Sequence, residues 1–263
     1  MSDVAAGGHA DPAGPLPVRG LLEVAVTHPR DVPGCVEGGA DRLAVVAPGA
    51  SYATAPEPAL VSAVARSSGL PVRALLRLPP ADGAAPYAAD PASLDRLADL
   101  AREYVALGAE GVVLGFLDAD LEVDVWACRR LLAAVPGTPW TFHRAIDDTL
   151  DPVRSWGRVV DLPGVTSVRS GGSPQGLAHG YEDLLALARR SLEVARLLMP
   201  AGGLSAEHVP WFAREGVRQL HLGTQVRPGA SYRSYVDAGY VRSWRRLLDD
   251  AVDRDRRTDW AGT

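Results

Sequence analysis

The chain has 263 residues, 47% of them hydrophobic and 22% charged, with a formal net charge of −5. That describes an ordinary globular protein of one barrel-sized domain or two small ones, and the negative balance disfavours nucleic-acid and anionic-membrane binding. All 27 basic residues are arginine, which excludes lysine-imine (Schiff-base) chemistry and the Gly-Lys-Ser/Thr phosphate loop.

Residues 1–19, rich in Gly, Ala, Pro and Asp, read as a flexible tail rather than a signal peptide. The folded domain is expected over residues 20–248, with a charged, fraying tail over 249–263. Strand-like runs fall at residues 21–26, 42–46, 72–77, 111–115, 140–143, 167–169, 195–199 and 219–222, with helical patterns between them. One joint recurs at Gly39, Gly69, Gly108, Gly164 and Gly216: a C-cap glycine, then a short turn into the next strand. Repeated short αβ turns mean parallel strands with helical crossovers. Asp90-Pro91 and Asp151-Pro152 have the order of an N-cap followed by a first-turn proline. Eight βα units in about 230 residues predict an α/β fold, a single-domain (β/α)8 TIM barrel. The competitor, a doubly wound open sheet, lacks its GxGxxG turn here. No apolar run reaches the roughly 18–20 residues of a membrane span. Cys35 and Cys128 lie in separate amphipathic stretches and read as reduced thiols of a cytoplasmic protein.

In such a barrel the outer side of each strand is apolar, so charged residues within strands point inward. By alternation Glu23, Arg73, Arg77, Thr141, His143, Arg169, Gln219 and His221 face the interior. Arg77, His143 and Arg169 fall at strand C-termini, the face that carries chemistry in these barrels. Arg77, Arg144 and Arg169 then form a cationic clamp for a small anionic molecule. His143 is the candidate acid or base, with Glu23 or Asp147 orienting it or moving a second proton. Ser170-Gly171-Gly172 after strand six, and Gly202-Gly203 ahead of a helix that Ser205 caps, are candidate phosphate nests. The bland reading of the same residues is a buried network in which Glu23 neutralises an arginine.

Several stretches resemble the CutC copper-homeostasis family of cytosolic TIM-barrel proteins. They are Leu22-Glu-Val24, Gly38-Gly-Ala-Asp-Arg42, Arg77, Gly108–Gly115, Thr141-Phe-His-Arg-Ala-Ile-Asp147, Ser170-Gly-Gly172, Met199-Pro200, 217–221 and Tyr235-Val-Asp237. The match covers about residues 20 to 245. The resemblance implies a role in copper homeostasis, with copper as the bound ion, held through His143, His221 or Met199. It also carries over Glu23, Arg77, Arg144 and Asp147 as site positions. The chain departs from the pattern where the family has cysteines: Ala25 follows Leu-Glu-Val, and the second strand ends Ala44-Val45-Val46. The third strand ends Arg77-Leu78-Pro79, Arg169 replaces a threonine, and Leu222-Gly223-Thr224 follows His221. Cu(I) prefers thiolate and thioether ligands, and Met199 is the only methionine after Met1. The functional reading adopted from the resemblance is copper homeostasis; the alternative is an enzyme or binder of a phosphorylated or carboxylated metabolite, and a third is a barrel that has lost its original activity. The Trp244-Arg-Arg246 cluster reads as helix packing or a subunit contact, and a homodimer is expected because oligomers are common in this class.

Overall fold

The computed structural model describes residues 19–47, 53–79 and 87–261, with side chains described as far as residue 255. The predicted N-terminal tail, Arg19 excepted, lies outside these residues. The strands are β1 (Leu21–Val26), β2 (Arg42–Val45), β3 (Val72–Leu75), β4 (Gly111–Leu114), β5 (Trp140–Phe142), β6 (Val165–Ser170), β7 (Leu198–Pro200) and β8 (Gln219–Leu222). All ladders are parallel and run β7-β6-β5-β4-β3-β2-β1-β8. The two end strands, β7 and β8, lie beside each other, so the sheet curls into a nearly closed TIM barrel. Gln219 bridges this seam: its Nε2 donates to Arg196 O (2.8 Å) and Thr166 O (3.0 Å), and its Oε1 accepts from Ser167 Oγ (2.6 Å).

Around the sheet run α1 (Val32–Gly38), α2 (Pro58–Ser68), α3 (Pro91–Ala106), α4 (Val125–Leu132), α5 (Pro152–Val160), α6 (Leu177–Arg190), α7 (Leu192–Leu197), α8 (Val209–Arg214) and α9 (Ala238–Ala261). The alternation in the strands explains the layers. Leu22, Val24, Leu43, Val45, Val72, Ala74, Val112, Leu114, Phe142, Val168, Leu220 and Leu222 face outward into one core beneath the helices. Val46, Leu75 and Val113 form a separate small apolar cluster inside the barrel. The five predicted joint glycines all have positive φ, between 63° at Gly69 and 100° at Gly108, a conformation side chains disfavour. Asp90 and Asp151 cap α3 and α5, each accepting a backbone N–H at 3.0 Å.

Two expectations are corrected. Residues 195–197 end α7 rather than begin a strand: Ser191 caps that helix, accepting from Val194 N at 3.3 Å, and sheet pairing starts only where Leu198 meets Val168. Residues 249–261 are not a frayed tail but continue α9. Ala251 and Val252 are buried in the core and Arg218 pairs with Asp255, contacts that a run of charged residues hides from a composition reading.

The segment between β8 and α9 is tied down over the barrel's C-terminal end. Arg227, fully buried, donates to both carboxylate oxygens of Asp31 (2.9 Å each) and to Ala25 O (3.0 Å). Its guanidinium carbon lies 5.1 Å from the Tyr232 ring, which brings Tyr232 to the rim.

Candidate functional site

Glu23 is the hub of the interior. Its Oε2 accepts from Arg42 Nε at 2.6 Å, and its Oε1 from Arg169 Nε at 2.9 Å and His221 Nδ1 at 2.7 Å. Strand register makes this possible, because Glu23 stands opposite Arg42 on β2 and His221 on β8. Burial alone would raise the Glu23 carboxyl. Arg169, Arg42 and His221 outweigh burial and hold it well below 4.5. An ionised carboxylate can only accept, so the proton of the shared bond sits on His221 Nδ1. His221 Nε2 is then a bare lone pair. Burial, with Arg169 next in size, pushes this imidazole down to about 4 against the pull of Glu23, and it is neutral at pH 7.

His143 is fixed the other way round. It directly follows β5 and caps the 3-10 helix Arg144–Asp148, its Nδ1 accepting from Ala145 N at 3.1 Å. A neutral ring whose Nδ1 accepts must carry its proton on Nε2. Burial first, then Arg77 and Arg169, push it down to about 3. The ring fits against β4 because position 115 is glycine: a Cβ there would stand 2.7 Å from His143 Nδ1.

Both rings line one cavity of about 630 Å³ at the C-terminal mouth. Arg77, Arg144 and Arg169 share its polar wall, Gly202, Gly203 and Tyr232 its rim, and Ala25, Val46, Ala53 and Leu75 its apolar wall. The Arg77 guanidinium stacks 4.3 Å from the Tyr87 ring, itself 5.2 Å from His143. His143 Nε2 and Arg169 Nη2 are buried and meet no hydrogen-bond acceptor among the described residues. Arg169 Nη2 does approach Glu23 Oε1 to 2.6 Å, but off the hydrogen-bonding direction. An unmade buried donor costs about 1–3 kcal/mol, so His143 Nε2–H on this cavity asks for a functional reason.

The predicted site residues divide into two groups. Glu23 bonds to His221 and Arg169, not to His143. Asp147 belongs to another cluster: it accepts from Arg144 Nε (2.6 Å), Ser170 Oγ (2.6 Å), Gly171 N (2.9 Å) and Gly172 N (3.2 Å). Burial raises its carboxyl above 3.8 in spite of these donors. The glycine nest after β6 is thus filled by the chain's own carboxylate, and Asp147 positions Arg144 and the β6 loop. Gly202 remains at the cavity with Arg144 laid against it, a Cβ there falling 2.7 Å from the guanidinium carbon. Ser205 caps only the three-residue turn Ala206–His208 ahead of α8.

Sequence reasoning missed Arg42, although the alternation read on the other strands, applied to β2, places it inward opposite Leu43 and Val45. Tyr87 and Tyr232 carried no signal, since distant contacts bring both to the mouth. The metal donors are sparse. Cys35 and Cys128 are buried in α1 and α4, with thiols pushed up to about 12 by burial. Met199 Sδ lies 3.9 Å from Arg42 Nη2, and each histidine has one nitrogen already bonded. Among the described residues, no group of three or more His, Cys, Asp or Glu could hold a metal ion. This donor set does not fit copper.

Comparison with known proteins agrees with the architecture. A family protein CutC of Xanthomonas campestris pv. campestris strain 8004 is 35% identical over 146 residues, 53% of this chain and 60% of that protein. The chain therefore spans less than two thirds of that relative. A family protein CutC of Sinorhizobium medicae is 31% identical over 244 residues, 91% of this chain and 95% of the relative. The crystal structure of CutC from Streptococcus agalactiae superposes with a TM-score of 0.67 at 23% identity, covering 78% of this chain and 98% of that one, which shows a shared fold. The CutC family profile matches residues 20–226, and the chain belongs to the CutC family.

Proposed function

We propose that this barrel binds a small anionic metabolite, carboxylated or phosphorylated, in the cavity at its C-terminal mouth. The observation that carries this reading is the buried, acceptor-less donor His143 Nε2 on a cavity whose wall Arg77, Arg144 and Arg169 share. Buried donors are satisfied in working proteins, and an anion beside Arg77, Arg144 and Arg169 would satisfy this one with a charge-assisted bond. Charge points the same way. Two buried guanidiniums, Arg42 and Arg169, share the single carboxylate of Glu23, so the interior has cationic character to spare. Two buried free thiols suit a reducing, cytoplasmic setting. Titration calorimetry with inorganic phosphate, sulfate and isobutyrate tests the idea. Binding is expected, weakened about 10–100-fold by Arg144→Ala, the loss of one charged hydrogen-bonded contact. Absence of heat with all three ions would sink it.

The family's name supports a second reading, a part in copper homeostasis. Its nitrogen donors would be His221 Nε2 and, once its proton moves to Nδ1 at the cost of the Ala145 contact, His143 Nε2, in a cavity lined by arginine and, at Ala25 and Val46, by methyl groups where the family resemblance expects thiols. Micromolar copper binding lost on both His143→Ala and His221→Ala would favour this reading over the anion.

A further inference from the structure

Building on the anion-binding reading, we propose that the cavity acts on a small anionic carbonyl compound and moves a proton on the carbon beside its C=O. His221 Nε2 receives the proton, and His143 Nε2–H with Arg169 Nη2–H holds the oxygen.

The two imidazoles are clamped by opposite partners. A backbone N–H (Ala145) donates to His143 Nδ1, while a carboxylate (Glu23) accepts from His221 Nδ1. One cavity is thereby given a fixed donor and a fixed lone pair, both uncharged. A bare anion uses only donors. A ligand that uses both must offer an acceptor oxygen together with an acidic hydrogen. His143, whose Nε2–H is a buried donor without an acceptor, and the Arg169 guanidinium line the same cavity, where they would stabilise charge on an oxygen. Glu23 behind His221 keeps the tautomer and receives the imidazolium that forms. The apolar wall of Ala25, Val46, Ala53 and Leu75 accommodates a short carbon chain, and the arginines face its anionic end.

The step balances without a co-reactant. The C–H bond breaks and its electron pair becomes the C=C bond of an enolate. The carbonyl π pair moves onto oxygen, which accepts from His143 Nε2–H, while the proton passes to His221 Nε2. Its return to the same carbon, or to a neighbouring one, completes exchange or isomerisation.

The test uses the full chain in D2O with 2-oxoisovalerate and dihydroxyacetone phosphate, which separate a carboxylate from a phosphate handle. Isobutyrate and glycerol phosphate, lacking the carbonyl, serve as binding controls. Proton NMR should show deuterium entering the α-carbon of one probe, at least about 100-fold slower in His221→Gln. Independently of any variant, ¹⁵N spectra of wild-type histidines should show Nδ1–H at His221 and Nε2–H at His143. Matching tautomers on the two rings overturn the proposal. Anion binding without exchange of either probe overturns it while leaving the anion site standing, and failure to bind any anion removes both.

Discussion

At residue scale, Glu23 decides more than any other side chain. It compensates two buried guanidiniums and fixes one tautomer. Breaking a buried pair from one side leaves the other charge uncompensated, which costs about 3–5 kcal/mol. Glu23→Gln is therefore expected to lower the urea midpoint by that equivalent with the m-value unchanged. Asp99→Ala, which cuts the exposed pair with Arg102, should leave it within error, because solvent screens such pairs. Gly115→Ala tests the seat of His143. The added Cβ falls 2.7 Å from Nδ1, so the ring must swing off Ala145 N. Histidine ¹⁵N shifts should then report mixed tautomers at His143, while those of His221 stay put.

At the scale of elements, caps and packing make separable contributions. Asp151 supplies the acceptor for the first turn of α5, and Asp151→Ala should cost about 1 kcal/mol in thermal unfolding. The end of α9 contributes through burial. Truncation after residue 248 removes buried Ala251 and Val252 and the partner of Arg218. At roughly 2–3 kcal/mol for the apolar part, and about 2–4 °C per kcal/mol for a chain of this size, Tm should fall by roughly 5–10 °C. An unchanged Tm would restore the reading of a frayed tail.

At the scale of the whole molecule, the cationic interior sets the response to acid. Unfolded histidines take up a proton near 6.5, whereas the folded chain protonates His221 only at about 4 and His143 at about 3. Between those values the unfolded state holds more protons, so stability rises with pH through this window and falls on acidification below about 6.5. Glu23 adds to the loss further down. Its folded value lies well below 4.5, so its contribution is complete above 4.5 and disappears as pH drops through the folded value. Urea midpoints should be flat from pH 7 to 8 and decline steadily from pH 6 to 4. A plateau down to pH 4.5 would mean that the two rings are hydrated rather than buried.

The local rules of the chain determined the architecture: alternation set which strand faces are apolar, and glycine joints with aspartate caps set where helices stop and start. Such features act over a few residues, so they are legible one segment at a time. They also placed Glu23, His143, Arg169 and His221 inward, because alternation is a property of a single strand. Which of these groups bond to each other depended on register between strands far apart in sequence. Register gave Glu23 to Arg42 and His221 rather than to His143, and loop packing gave the Gly171 nest to Asp147. Tautomer and charge followed from those pairings, since a ring's proton goes where its neighbour's lone pair or N–H sends it. Only the tertiary structure could decide that one ring carries its proton on Nε2 and the other on Nδ1.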